Sequence, residues 1–117
     1  MKLLNDMFTV TGGDADRVVL ALNAGHTIYQ AHFPGNPITP GICIVQLIGE
    51  LLAERTGRRL SLQKIVNLKF VAPLSPVENP VIEVNFASVD DTGSECKAKG
   101  TITAAGAVMT KFSVVFA

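Results

Sequence analysis

The sequence predicts an α+β fold, with one long apolar helix packed on an antiparallel sheet. Two observations carry this expectation. From Pro40 to about Arg55 the apolar residues Ile42, Cys43, Ile44, Val45, Leu47, Ile48, Leu51, Leu52 and Ala53 cover most of a helical circumference. A helix of that kind is buried on several sides. The second half of the chain then breaks into short β-rich runs divided by tight-turn residues, the pattern of an antiparallel meander. At 117 residues, 48% of them apolar, the chain suits a single domain spanning 1–117 with its own core. The apolar content also points to an oligomer interface.

The elements follow in order. Residues 1–8 read as a short helix or arm. Gly12-Gly13-Asp14 is a turn signal, and Arg17 to Leu22 after it is a β-rich run. His26 to Ala31 reads as a short extended segment. Thr39 is a good N-cap and Pro40 a good first helical residue. Gly57 suits the helix C-terminus. Leu60 to Val71 forms a strand that Pro73 and Pro76 end. Val81 to Val89 alternates well, Asp91-Thr92-Gly93 is a turn, Glu95 to Thr103 is a strand, and Ala104-Ala105-Gly106 turns into a last strand, Ala107 to Phe116.

Composition excludes several classes of function. Ten basic residues balance ten acidic ones, so no overall field favours nucleic acid. Arg55-Thr56-Gly57-Arg58-Arg59 is the nearest to a basic cluster; it reads as a solvated helix end, with docking of an acidic partner as the alternative. Cys43 and Cys96 have neither metal-ligand nor redox spacing, and there are two histidines, so neither a metal site nor a cofactor is expected. Both thiols read as core residues of a reducing compartment. The first six residues turn polar too soon for a signal peptide, and no apolar run spans a membrane. The expected location is the cytoplasm.

The densest chemistry lies in His32-Phe33-Pro34-Gly35-Asn36-Pro37-Ile38-Thr39-Pro40-Gly41. Three prolines fix φ at their positions, and Gly35 is free to turn. Gly41 brings a backbone N–H to a helix N-terminus with no side chain in front of it, a site for a carbonyl oxygen or a developing negative charge. A candidate base, His32, thus sits beside a candidate oxyanion donor, Gly41. An acyl thioester is a substrate that uses both.

This loop resembles the active-site loop of the beta-hydroxyacyl-acyl carrier protein dehydratases, short hotdog-fold enzymes of fatty acid synthesis. Their signature reads roughly GHFPG-x-P-x-x-PG, and here Ala31-His32-Phe33-Pro34-Gly35 is followed by Pro37 and Pro40-Gly41. Lys69-Phe70-Val71-Ala72-Pro73-Leu74 resembles a later strand of the same family. The resemblance implies a hotdog fold, a curved antiparallel sheet wrapped around the central helix. It also implies a homodimer, or a dimer of dimers or trimer of dimers, whose sites are shared between subunits. It implies acyl carrier protein as partner, bearing a 3-hydroxyacyl chain that loses water to give the trans-2-enoyl thioester. His32 would be the base and Gly41 the oxyanion donor, with Phe33, Pro34, Gly35 and Pro40 flanking the substrate. The family's catalytic carboxylate falls fourteen residues after the histidine, where this chain has Gln46, and the family's frequent glutamine four residues later is here Glu50.

That exchange opens alternatives. A carboxamide gives up no proton at a relevant pH. Glu50, one turn along the same helix face, is either a displaced acid or part of a polar stripe with Gln46 and Glu54. The chain is then a dehydratase, a binder of acyl carrier protein or acyl thioester without turnover, or a thioesterase in which Glu50 activates water. His26 reads as a turn or strand-entry residue, Tyr29 and Phe33 as core or pocket wall, Asn36 as a turn residue, Gly49 as a close-packing position, and Cys43 as helix core.

Overall fold

The computed structural model describes residues 2–31 and 35–117. Its elements are β1 (Phe8–Gly13), β2 (Arg17–Leu22), α1 (Thr27–Ala31), α2 (Gly41–Thr56), β3 (Leu62–Phe70), β4 (Val81–Asp90), β5 (Cys96–Ala104) and β6 (Ala107–Phe116). The strands form one sheet in the order β1-β2-β4-β5-β6-β3, antiparallel throughout. The meander is β4-β5-β6. Its second hairpin turns through Ala105 (φ 50°) and Gly106 (φ 80°), the two left-handed residues that a two-residue turn with the strands' own twist requires.

Alternation along the strands decides which face is the core. Ile82, Val84, Phe86, Ile102, Phe112, Val114 and Phe116 are buried, while the intervening Lys97, Lys99 and Lys111 are exposed. Register shifts interrupt the β1–β2, β3–β6, β4–β5 and β5–β6 pairings. Each such bulge bends its strand and raises the local twist, so the sheet curls. Its concave face wraps α2, whose Cys43, Ile44, Val45, Leu47, Ile48, Leu51 and Leu52 are buried. This is the expected hotdog arrangement.

Two glycines let the sheet approach the helix closely. A Cβ on Gly49 would lie 2.5 Å from the ring of Phe116, and one on Gly41 would lie 2.7 Å from the ring of Phe70. Gly49 is therefore the close-packing position its place in an apolar helix suggested, and the partner is a strand of the same chain. Gly57 ends α2 in the left-handed conformation (φ 69°), its N–H donating to the Ala53 carbonyl at 2.9 Å. No helix among the described residues is long and apolar enough to cross a membrane.

Several local expectations are corrected. Residues 27–31 form α1, not an extended segment. Asn23 Oδ1 accepts the Gly25 N–H at 3.1 Å and His26 Nδ1 accepts the Ile28 N–H at 3.1 Å, and these side-chain acceptors start a helical turn that β-favouring Ile28 and Tyr29 would not. Of the two readings of the N-terminal segment, helix or arm, the arm is the one found: Asn5 is left-handed (φ 68°), and Leu3, Leu4 and Met7 are buried. Strand β1 was not expected, because only Phe8 of its six residues is buried and the alternation that reveals a strand is missing. Thr39 does not cap α2. The N-cap is Pro40 (φ −60°, ψ 142°), with no side-chain cap, and Pro40 precedes the helix rather than opening it.

The Gly49–Phe116 contact yields a prediction. Gly49→Ala gains about 1 kcal/mol of helix propensity, but its Cβ would lie 2.5 Å from the Phe116 ring, and overpacking costs about 1–3 kcal/mol. Urea denaturation should show a net loss of stability. Adding Phe116→Leu should recover part of it.

Candidate active site

The start of α2 is built by three anchors. Tyr29, 1% exposed, is carried inward by α1, and its hydroxyl lies 2.7 Å from Thr39 Oγ1. The Thr39 N–H donates to the Leu74 carbonyl at 2.8 Å. The Pro40 carbonyl accepts the first helical bonds, from the Cys43 N–H at 3.0 Å and the Ile44 N–H at 3.2 Å. The N–H groups of Gly41 and Ile42 precede these and have no acceptor within the helix. The Thr39 hydroxyl, which a helix start would ordinarily use, is taken by Tyr29.

Phe70, half exposed at 48%, lays its ring against Gly41 and walls that end of the helix. Gly35 is left-handed (φ 88°), as its place in the proline loop suggested. Asn36 is exposed and Pro40 half-buried. His32, Phe33 and Pro34 lie outside the described residues. Burial raises the Tyr29 hydroxyl pKa, against the opposing effect of the Thr39 hydrogen bond. Burial also raises the pKa of the Cys43 thiol, so this residue stays a protonated core side chain, as expected, and not a nucleophile.

Gln46 and Glu50 are brought together. Gln46 Nε2 donates to Glu50 Oε2 at 3.1 Å. Glu50 also accepts the Leu3 N–H, at 3.0 Å on Oε1 and 2.9 Å on Oε2, and the Leu4 N–H at 2.9 Å on Oε1. Glu54 instead pairs with Lys2 in solvent at 3.5 Å. An open groove of about 960 Å³ runs beside this face of α2, lined among others by Ile42, Gln46, Gly49, Glu50, Leu62 and Phe116. The arm's hold on Glu50 had no sequence signal, since 47 residues separate Leu3 from Glu50. The aromatic ring on Gly41 was detectable only as a bare glycine near a helix start.

The basic cluster is largely engaged within the fold. Arg55 binds Asp16 Oδ1 at 2.8 Å and the Ala15 carbonyl at 2.9 Å, and Arg58 pairs with Asp91. Arg59 is exposed at the groove. His26 serves as a turn residue that ties the arm to α1: its Nδ1 accepts the Ile28 N–H, which leaves Nε2 to donate to Asp6 Oδ2 at 3.1 Å. Among the described residues, no group of three or more His, Cys, Asp or Glu side chains is placed to hold a metal ion.

The Tyr29–Thr39 bond is the contact that sets the loop before α2. Tyr29→Phe leaves the buried Thr39 hydroxyl, 4% exposed as a residue, without its partner, at a cost of about 1–3 kcal/mol. Thermal unfolding should register that loss. Thr39→Val in the same background should relieve part of it.

The comparisons with known proteins agree with this construction. The chain is 29% identical over 126 residues to the 3-hydroxyacyl-(acyl-carrier-protein) dehydratase FabZ of Zymomonas mobilis, covering all of this chain and 80% of that protein. It is 34% identical over 91 residues to FabZ of Rhizorhabdus wittichii, covering 70% of this chain and 57% of the relative. It thus spans only a little over half of the second relative. Among solved structures, the dehydratase heterocomplex ApeI:P from Xenorhabdus doucetiae shares the fold, with a TM-score of 0.61 at 14% identity over 92% of this chain and 93% of that one. A family model described as ApeI-like, ApeI dehydratase, matches residues 11–107. That match takes in four of the six strands whole (β2 to β5), both helices and the proline loop, and by it the chain belongs to the ApeI-like dehydratase family.

Proposed function

We propose that this chain removes water from 3-hydroxyacyl thioesters, carried on acyl carrier protein, to give trans-2-enoyl thioesters. The observation that carries the reading is the start of α2, which has no side-chain cap and where Gly41 brings an N–H and no side chain of its own. That N–H polarises the thioester carbonyl and makes charge at C2 tolerable. His32 takes the C2 proton; a ring with an ordinary pKa of about 6.5 suits that role. The C3 hydroxyl leaves as water once a proton reaches it. At position 46 the carboxamide brings no such proton, so the general-acid contribution, worth about 10²–10⁴-fold, falls to Glu50 or to water.

A second reading, binding of acyl thioester without turnover, is favoured by one observation: the Glu50 carboxylate already accepts hydrogen bonds from Leu3, Leu4 and Gln46. The same engagement weighs against Glu50 as the water-activating group of a thioesterase. An assay of enoyl formation with parent, His32→Ala and Gln46→Glu separates the readings. Parent turnover that disappears in His32→Ala supports the dehydratase. A silent parent, with activity gained in Gln46→Glu, supports the binder. Thiol release without enoyl product would indicate hydrolysis.

The working unit of this proposal is a homodimer. Register places Leu62, Ile65 and Phe70 of edge strand β3 on the same sheet face as the buried Phe116, Val114 and Thr110, yet these three are 43%, 45% and 48% exposed. Ile42 on α2 beside them is 79% exposed. An inward-facing apolar surface left uncovered, bordered by an unpaired strand edge, suits a second copy. Ile65→Lys should shift sedimentation velocity toward monomer and lower any thioester activity with it. A monomeric parent at micromolar concentration would refute the dimer.

A further inference from the structure

Five of the chain's six lysines, Lys64, Lys69, Lys97, Lys99 and Lys111, are exposed on the outer face of the sheet, the face turned away from α2. Strand register arranges them in rows. Lys64 and Lys97 flank Val115, with Asp90 beyond Lys97. Lys99 lies between Ser88 and Ser113, and Lys69 lies directly opposite Lys111. With strands about 4.8 Å apart and a rise of about 3.3 Å per residue, the five lysines start from an area of about 10 by 17 Å. Like charges directly opposed across a ladder are destabilising, and among the described residues none of the five is in an ion pair. Asp90, the one carboxylate in these rows, is taken by Thr92, whose N–H and hydroxyl donate to its Oδ1 at 3.2 and 2.7 Å.

The face is not smooth. Register shifts between Phe86 and Ser88 on β4 and between Ile65 and Asn67 on β3 bend the two strands that flank β5 and β6. Between them lies a hollow of about 400 Å³, lined among others by Val66, Ser88, Asp90, Lys97, Lys99 and Ser113. Two ammonium groups and two hydroxyls thus border one small space. A phosphoryl group, with several acceptor oxygens around one atom, matches that set of donors. We infer that the hollow seats the phosphate of an anionic phospholipid while Lys64, Lys69 and Lys111 hold neighbouring headgroups, so that the outer face of the sheet docks on an anionic bilayer. Lysine supplies a compact point charge, which suits a fluid layer of headgroups. These rows hold neither the planar fork of arginine nor an aromatic ring, the groups that anchor a protein interface or stack on a base. Attraction to a charged surface reaches about a Debye length, about 8 Å at physiological salt, so lysines on either side of a curved face are engaged together. None of these residues lies at the start of α2 or in the groove beside it.

The test is cosedimentation with vesicles of mixed phosphatidylglycerol and phosphatidylcholine, beside vesicles of phosphatidylcholine alone. The parent should bind the mixed vesicles and not the neutral ones, and added salt should weaken the binding. Lys97→Ala with Lys99→Ala should weaken it by about 25-fold, or about fivefold for each lysine. Ser88→Ala with Ser113→Ala, which alters no charge, should weaken it by about two- to tenfold, the range of a lost hydrogen bond. Lys2→Ala with Arg59→Ala removes the same charge elsewhere on the surface and should leave binding unchanged. Absence of binding to the mixed vesicles, or an equal loss in the Lys2 and Arg59 variant, overturns the docking face. Undiminished binding in the serine variant overturns the seated phosphate. Binding of soluble glycerol phosphate more tightly than vesicles would give the hollow to a soluble phosphate ester and overturn the bilayer as its source.

Discussion

The structure depends on how closely a curved sheet approaches one helix. Phe70 and Phe116, near opposite ends of the concave face, meet the backbone of α2 at Gly41 and Gly49, where no Cβ fits. Two aromatic rings against bare helix backbone bring the helix axis close to the sheet and fix its rotation, since a helix turned by one residue would present a side chain to each ring. The placing of the other α2 side chains follows from that rotation. It is why Gln46 and Glu50 emerge along the groove and why the buried leucines and isoleucines point into the core. The same contact that packs the helix also frees its first peptide N–H from any side chain of residue 41.

The polar groups of α2 divide between holding the chain and lining the groove. Glu50 belongs first to the fold, as the acceptor for an arm that would otherwise carry two buried N–H groups without partners, a cost of about 1–3 kcal/mol each. Gln46 is the group between that structural carboxylate and the open groove. A carboxylate at 46 with a carboxamide at 50, the order seen in the resembling dehydratases, would leave the arm facing an amide that can accept with only one of its two ends. Glu at position 50 therefore gives the arm a firmer hold than an amide there would.

Much of this was legible in the sequence. The helix, the meander and the bend at Gly35 follow from apolar periodicity and turn residues, and the proline loop with Gly41 marked the helix start as the candidate site. Three kinds of information were not legible. Strand β1 buries one residue, Phe8, so it has no alternation to read. Helix α1 depends on the Asn23 and His26 side chains finding nearby N–H groups, a local competition that outweighs the β preference of Ile28 and Tyr29. The partners of Glu50 and Thr39 are tertiary: Leu3 and Leu4 are far along the chain, and the Thr39 hydroxyl, ten residues from Tyr29, is drawn from capping by a neighbour that no spacing rule anticipates. For Arg55, a solvated helix end was the right kind of reading, but its anion, Asp16, lay beyond any pattern of adjacent residues.

The diversion of Thr39 to Tyr29 has a thermodynamic corollary. A helix start deprived of its side-chain cap gives up about 0.5–2 kcal/mol of local stability. The deficit is recoverable by any oxygen that arrives from outside the chain. Occupancy of the helix start and integrity of the fold would then be linked: on the proposed reading, a bound acyl group would stabilise α2 and the loop before it.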